Sequence, residues 1–104
     1  MLEVTFTESG DRLSLRLEGH AGCAEIGKDI VCASASILAY TLATIVGDFG
    51  INTTINLESG NTTIECECTD HPLMDVVRDA FNFANVGYSL LAHNYPQYVR
   101  LTES

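Results

Sequence analysis

The sequence is short of basic residues, with five lysines and arginines against fourteen aspartates and glutamates and a formal net charge of −9. Proteins that bind nucleic acid through its phosphates need clusters of lysine and arginine, so this composition argues against direct nucleic-acid binding. An acidic surface instead attracts a basic partner, such as a cationic peptide segment. The same charge is equally expected of an acidic protein that is simply soluble.

An obvious targeting segment is also missing. Leu2 opens an alternation that is typical of a strand, rather than a basic and then apolar leader, so we expect no signal peptide. The eighteen residues Ile30–Gly47 carry no charge, which reaches the lower limit for a membrane span. Serines and threonines interrupt them, however, and no lysine or arginine bias marks one side. We predict a helix buried on most sides in a cytoplasmic protein without membrane contact.

The cysteine pattern fits neither a disulfide framework nor a familiar zinc motif. The four cysteines stand at positions 23, 32, 66 and 68, with no C-x-x-C pair, and thiols in the cytosol are reduced by default. The chemical alternative is a zinc site that draws on these cysteines and His20, but its ligands would come from separate elements. We therefore expect no metal and no cofactor, and we expect Cys66 and Cys68 to lie in the core.

The length and hydropathy pattern predict one small domain. A chain of 104 residues, 46% of them hydrophobic, can bury one modest core, so we expect a single domain over residues 1–104. Alternating apolar and polar residues predict two strands joined by a turn at residues 8–11. A loop with three glycines follows, and then a helix from Ile30 to about Val46.

The second half of the sequence has the same order. Residues 58–61 (Glu-Ser-Gly-Asn) repeat the first turn (Glu-Ser-Gly-Asp) almost letter for letter, between two further predicted strands. A second helix is predicted to start at residues 70–72 with Pro72 in its first turn, and an edge strand at residues 97–101 to follow Pro96. The order ββαββαβ indicates an α+β sandwich of a mostly antiparallel sheet with two main helices.

Two short motifs carry the candidate chemistry. Residues 19–22 (Gly-His-Ala-Gly) place His20 on a turn bounded by glycines, and residues 27–33 (Gly-Lys-Asp-Ile-Val-Cys-Ala) place Cys32 at the start of the apolar helix. There the partial positive charge of unsatisfied N–H groups favours the thiolate. A histidine brought close can accept the thiol proton, and a Cys/His pair suffices for covalent acyl transfer. The alternatives are a buried structural cysteine and a solvated loop histidine.

These motifs, with Ser36 and the closing residues 95–99 (Tyr-Pro-Gln-Tyr-Val), resemble the ribosomal-processing cysteine protease family of bacteria over nearly the whole chain. The resemblance implies that Cys32 attacks a peptide carbonyl and that His20 is the general base and later the acid for the leaving amine. Asp29 and Ser36 are predicted to support this dyad, and their alternative roles are N-cap and small packing residue. The sequence does not identify a third catalytic group that would orient the imidazole.

Further expectations concern the surroundings of the dyad. N–H groups near the helix start, including that of Cys32, are predicted to bind the oxyanion. The loop from Gly22 to Gly27 could close over substrate, and an idle loop is the alternative. Cys23 departs from the family, which usually has an aromatic residue there: its thiol could be harmless, could form a regulatory disulfide with Cys32, or could itself be the nucleophile. The other histidines lack such a setting, and we predict them as an early-helix residue (His71) and a loop residue (His93).

The resemblance also implies a function. The family removes the N-terminal extension of a ribosomal large-subunit protein, protein twenty-seven, by cleaving after an aromatic residue in a short apolar motif. It forms homodimers, and the apolar residues on both faces of the first helix leave room for a partner chain. We therefore predict a cytoplasmic cysteine endopeptidase with this precursor as substrate. The alternative is a non-catalytic module that binds ribosomal protein or assembly intermediates.

Overall fold

In the part of the chain that the structure describes, five strands and two helices follow one another in the predicted order. The structure is a computed structural model that describes residues 1–24, 29–68 and 72–103. The elements, in chain order, are β1 Leu2–Ser9, β2 Arg12–Glu18, α1 Ile30–Gly47, β3 Asn52–Glu58, β4 Asn61–Glu67, α2 Met74–Asn94 and β5 Val99–Glu103. The predicted fold class and ββαββαβ order are confirmed.

The strands form one mixed sheet in the order β3-β4-β2-β1-β5. All neighbouring strands pair antiparallel except β1 with β5, which pair parallel. Helix α2 connects β4 to β5, which run in the same direction, and such a crossover is usually made by a helix. β5 lies at an edge, as predicted, but it begins at Val99 rather than at residue 97. The reason is a turn in which the N–H groups of Tyr98 and Val99 both donate to the carbonyl of Tyr95.

One face of the sheet forms the core with the helices. Alternate residues of β1 and β2 are buried, namely Leu2, Val4, Phe6, Leu13, Leu15 and Leu17. The ring of Phe6 lies 6.0 Å from that of Phe81 on α2, measured between centroids. Cys66 and Cys68 are fully buried, as predicted.

Ion pairs hold all four arginines of the sequence. On the strands, Arg12 contacts two glutamates of β4, Arg16 contacts Glu18, and Arg100 contacts Glu3. Arg78 of α2 contacts a carboxylate on β1 and another on its own helix. These pairs are substantially exposed, so each contributes little to stability, at most about 1 kcal/mol.

The face of α2 that packs in the core consists of the buried residues Val77, Phe81, Ala84, Tyr88 and Leu91. The predicted start of the helix is wrong. The helix begins at Met74, and Pro72 lies in the turn before it, because the carbonyl of Leu73 accepts the first helical hydrogen bond, from Val77.

The structure also corrects the position of one histidine. His93 lies in the last turn of α2 rather than in a loop. The last turn of a helix carries partial negative charge, which favours basic residue types there. His71 lies outside the described residues.

Helix α1 follows the predicted bounds but not the predicted burial. About a third of its residues are buried, namely Val31, Ala35, Ala39, Leu42, Ala43 and Val46. By length and composition alone the helix could cross a membrane, a test that the core helix of a soluble protein also passes. The prediction of burial on most sides is wrong for the single chain, because Ile37, Tyr40 and Ile45 remain exposed.

The two helices are joined by a buried hydrogen bond. The hydroxyl of Tyr88 on α2 donates to the carbonyl of Ala35 on α1 at 2.9 Å. Burial raises the pKa of this phenol well above its ordinary value, so the hydroxyl keeps its proton and remains a donor around neutral pH.

We expect Tyr88→Phe to lower the free energy of unfolding by about 1 kcal/mol, because it removes this hydrogen bond and keeps the ring. Urea denaturation measures the loss. Tyr40→Phe is the control, since the side chain of Tyr40 is 49% exposed and should lose almost nothing. Equal losses in the two variants would show that the buried hydroxyl has no special role.

Candidate active site

The start of α1 is held by one buried carboxylate. Asp29 has an extended backbone (φ −82°, ψ 103°) and caps the helix: its Oδ1 accepts the N–H groups of Val31 and Cys32, each at 3.0 Å. Its Oδ2 accepts the N–H of Cys23 at 3.0 Å. A single side chain therefore ties the loop before the helix to the residue that carries the candidate nucleophile.

The hydrogen bonds keep Asp29 ionised despite its burial. Burial alone would raise its pKa, but bonds from the N–H groups of Cys32, Cys23 and Ala24, and from the Cys32 thiol, hold the pKa below its ordinary value. Its partners within the described residues do not include the His20 ring. The contacts among the described residues therefore show Asp29 as the N-cap of α1 and show no direct interaction with His20.

Cys32 sits in the first turn of α1, as predicted, and is half-buried. Its Sγ accepts the N–H of Ala21 at 3.2 Å. Ala21, which lies between His20 and Gly22 in the chain, is buried in the core, so its burial anchors this part of the loop. The residue next to the candidate base therefore contacts the candidate nucleophile directly through its backbone.

His20 follows β2 by two residues. The residue before it, Gly19, has φ +83°, and its N–H donates to the carbonyl of Gly60 at 2.9 Å. A Cβ at Gly19 would lie 2.8 Å from the Met1 carbonyl oxygen, so only glycine fits there. His20 is exposed, and its ring lies close to the position that a Cβ at Gly60 would occupy.

A cleft of about 430 Å³ gathers these groups. The predicted site residues that line it are His20, Gly22, Asp29, Cys32 and Ser36. Gly27, the other end of the predicted substrate loop, lies outside the described residues, so closure of that loop stays a prediction. The volume is in the range of small-molecule and peptide-side-chain sites.

Sequence reasoning missed part of the cleft wall. The turn between β3 and β4, residues 58–61, lines the cleft together with Thr62, Leu2, Leu17 and Tyr40. The only signal was the likeness of this turn to residues 8–11, which does not say where the turn lies in space.

The contacts bear on two expectations about the dyad's neighbours. The N–H of Cys32 donates to Asp29, so the prediction that it binds the oxyanion is wrong for this structure: the N-cap carboxylate occupies it. Cys23 is a free, half-buried thiol, and it is not among the described residues that line the cleft, unlike Cys32. Within the described residues, no group of three histidine, cysteine or acidic side chains could hold a metal ion.

A half-buried cysteine at a helix start, an adjacent histidine loop and a peptide-sized cleft together define a thiol-enzyme type of site. The sequence matches the family described as cysteine protease Prp over residues 1–100, so the chain belongs to that family and is a cysteine protease. No curated protein matches the sequence.

Solved structures agree with this fold. The chain is 25% identical to the essential ribosomal processing protease Prp from S. aureus in complex with a covalently linked product peptide, with 100% of both chains covered and a TM-score of 0.86. The same protease with a substrate peptide gives 24% identity, full coverage of both chains and a TM-score of 0.80. SMU.848 from Streptococcus mutans is 28% identical over 99% of this chain and 93% of its own, with a TM-score of 0.70.

The lowered pKa of Asp29 predicts a pH-dependent contribution to stability. An ionised Asp29 stabilises the folded state fully above the unfolded value of about 3.9, and the contribution is lost as the pH falls through the lowered folded pKa. We expect Asp29→Asn, which keeps a capping side chain, to be less stable than the parent by a constant amount near neutral pH and by progressively less in acid.

Urea unfolding at a series of pH values measures this difference. Asp48→Asn, at the exposed C-cap of the same helix, controls for the removal of one negative charge. A deficit for Asp29→Asn that grows as the pH falls would have the wrong sign for a hydrogen-bonded carboxylate.

Proposed function

We propose that the chain is a cytoplasmic ribosomal-processing endopeptidase that removes the N-terminal extension of a large-subunit protein, protein twenty-seven, with Cys32 as nucleophile and His20 as base. The observation that carries the proposal is the cleft that both residues line, with the Cys32 sulfur held by the N–H next to His20. The S. aureus protease, similar along its whole length, supports the same class of substrate here.

The chemistry follows from these two side chains. His20 accepts the thiol proton of Cys32, and the sulfur attacks the carbonyl carbon of the scissile peptide bond. The C–N bond breaks as the leaving amine takes the proton from His20, which leaves a thioester on Cys32. His20 then removes a proton from water, and the hydroxide adds to the thioester carbonyl. The C–S bond breaks to release the carboxylic acid product, and the proton on His20 returns to the sulfur.

Supporting residues have separate tasks in this proposal. Asp29 holds the backbone of Cys32 and the preceding loop in place, so we assign the N–H groups of Val31 and Cys32 to the cap. Ser36 lies one helical turn after Cys32 and lines the same cleft, where its hydroxyl can contact substrate.

The cleft is suited to an apolar or aromatic substrate residue beside a basic segment. Leu2, Leu17 and Tyr40 supply apolar surface, and Glu58 supplies a carboxylate on the turn at the cleft wall. With a net charge of −9, the whole protein attracts a cationic peptide over some distance. These are the two features that the family resemblance implies for the ribosomal precursor.

We expect the precursor to lose its extension when it is incubated with the protein, and mass measurement of the products gives the cleavage site. Cys32→Ser should fold and show no cleavage, because a hydroxyl activated by the same histidine is a much weaker nucleophile than a thiol. Cys23→Ser is the matched control and should retain cleavage. Substantial turnover by Cys32→Ser, or its loss in Cys23→Ser, would overturn the assignment.

The role of His20 has its own test. Iodoacetamide should label one cysteine, Cys32, much faster than the others at neutral pH, and His20→Ala should lower both that rate and kcat/KM by about a hundredfold or more. His93→Ala, on α2, is the control. Labelling of Cys32 no faster than that of Cys23 would favour the non-catalytic binding module instead, because the buried Cys66 and Cys68 label slowly in either case.

The exposed side of α1 is the proposed homodimer surface. Ile30, Ile37 and Tyr40 are apolar side chains that the single chain leaves in solvent. We expect Ile37→Glu to shift the protein to monomer in sedimentation velocity. Val86→Glu on α2 is matched, since Val86 and Ile37 are each 60% exposed, and it should leave the dimer intact. The reverse result would move the interface to α2.

A further inference from the structure

We propose that Gly60, in the turn between β3 and β4, is a positioning residue for the imidazole of His20. The absence of a side chain at Gly60 is what allows the ring to occupy its place in the cleft. The inference rests on the proposed role of His20 as base, and it adds a residue that lies forty positions away in the sequence.

The Cβ position of Gly60 lies close to the His20 ring. A Cβ built on Gly60 would lie 3.0 Å from Nε2 of His20, 3.5 Å from Cε1 and 3.7 Å from Cδ2. Ordinary contacts of a Cβ are 3.4–4 Å, so the Nε2 tip of the ring would have to retreat by a few tenths of an ångström. A side chain at Gly60 would therefore push against the Nε2 end of the ring.

The backbone of the histidine loop is fixed to the same residue. β2 and β4 pair antiparallel, with Glu18 opposite Asn61 as their last pair. One step further, the N–H of Gly19 donates to the carbonyl of Gly60 at 2.9 Å. Gly60 thus accepts a hydrogen bond from the residue before His20 through its carbonyl, and the space that a Cβ at Gly60 would fill borders the His20 ring.

The chain contains a matched control for this residue. Gly10 occupies the same place in the nearly identical turn between β1 and β2, and its φ of +61° is close to the +77° of Gly60. A Cβ at Gly10 would meet nothing within 4 Å. Substitutions at Gly10 therefore carry the backbone strain of a positive φ without any contact with the imidazole.

The experiment compares Gly60→Ala with Gly10→Ala in the full chain. We expect both to lose similar stability in urea denaturation, but only Gly60→Ala to lower kcat/KM and the iodoacetamide rate of Cys32, by about tenfold at neutral pH, because misplacing a catalytic group by a fraction of an ångström is costly. In alkaline solution the alkylation rate of the Gly60→Ala variant should converge with that of the parent, because hydroxide instead of His20 then removes the thiol proton. General loosening of the fold would instead raise labelling of the buried Cys66 and Cys68 as well.

Gly60→Asn and Gly10→Asn repeat the comparison with a residue that tolerates positive φ, so they report on the steric contact even where the alanine variant folds poorly. The double variant His20→Ala/Gly60→Ala identifies the route of the effect. If Gly60 acts through the imidazole, the double variant is no slower than His20→Ala alone.

The outcomes separate this inference from the proposed function. If His20→Ala abolishes activity while Gly60→Ala and Gly60→Asn behave like their Gly10 counterparts, the base assignment stands and the positioning role is wrong. If His20→Ala leaves both activity and alkylation unchanged, the proposed function fails first. An additional loss from Gly60→Ala in the His20→Ala background would show that Gly60 acts on substrate or fold and not through the ring.

Discussion

The structure depends on the set of hydrogen bonds around the Asp29 carboxylate. This group accepts N–H groups from Cys23 before it and from Val31 and Cys32 after it. A buried carboxylate with several N–H partners is a strong and directional clamp, because each charge-assisted bond is stronger than a neutral one. The position of the candidate nucleophile relative to the histidine loop is therefore fixed by a helix cap, a local device that needs no large core.

The sheet completes the arrangement. His20 belongs to the loop that leaves β2, and Gly60 to the turn that enters β4, so the antiparallel pairing of these strands brings them together. Cys32 then reaches the same place because α1 starts shortly after the loop. The cleft lies at one end of the sheet, where a strand exit, a hairpin turn and a helix start meet. None of these elements needs to be long, which is how a chain of 104 residues can hold such a site.

Much of this could be predicted from the sequence because the signals are local. Alternation predicts β1 and β2, the uncharged run predicts α1, and Asp29 three residues before Cys32 predicts a cap. The wall formed by residues 58–61 could not be predicted, because it depends on strand order, which no local pattern encodes. The extent to which α1 is exposed could not be predicted, because a helix with small or apolar residues on all sides does not show which of them are buried against the rest of the chain. The Cys32 N–H was misassigned because capping and oxyanion binding compete for the same donors.

The ion pairs of the arginines have a consequence for how a peptide would arrive. Each arginine lies within 4 Å of a carboxylate, and the sequence has fourteen acidic side chains against five basic ones. A cationic chain approaching the described surface therefore meets an excess of negative charge, because every arginine already has a carboxylate partner. Long-range attraction of this kind is screened over about 8 Å at physiological ionic strength. Added salt should slow the capture of such a chain much more than the bond-breaking that follows it.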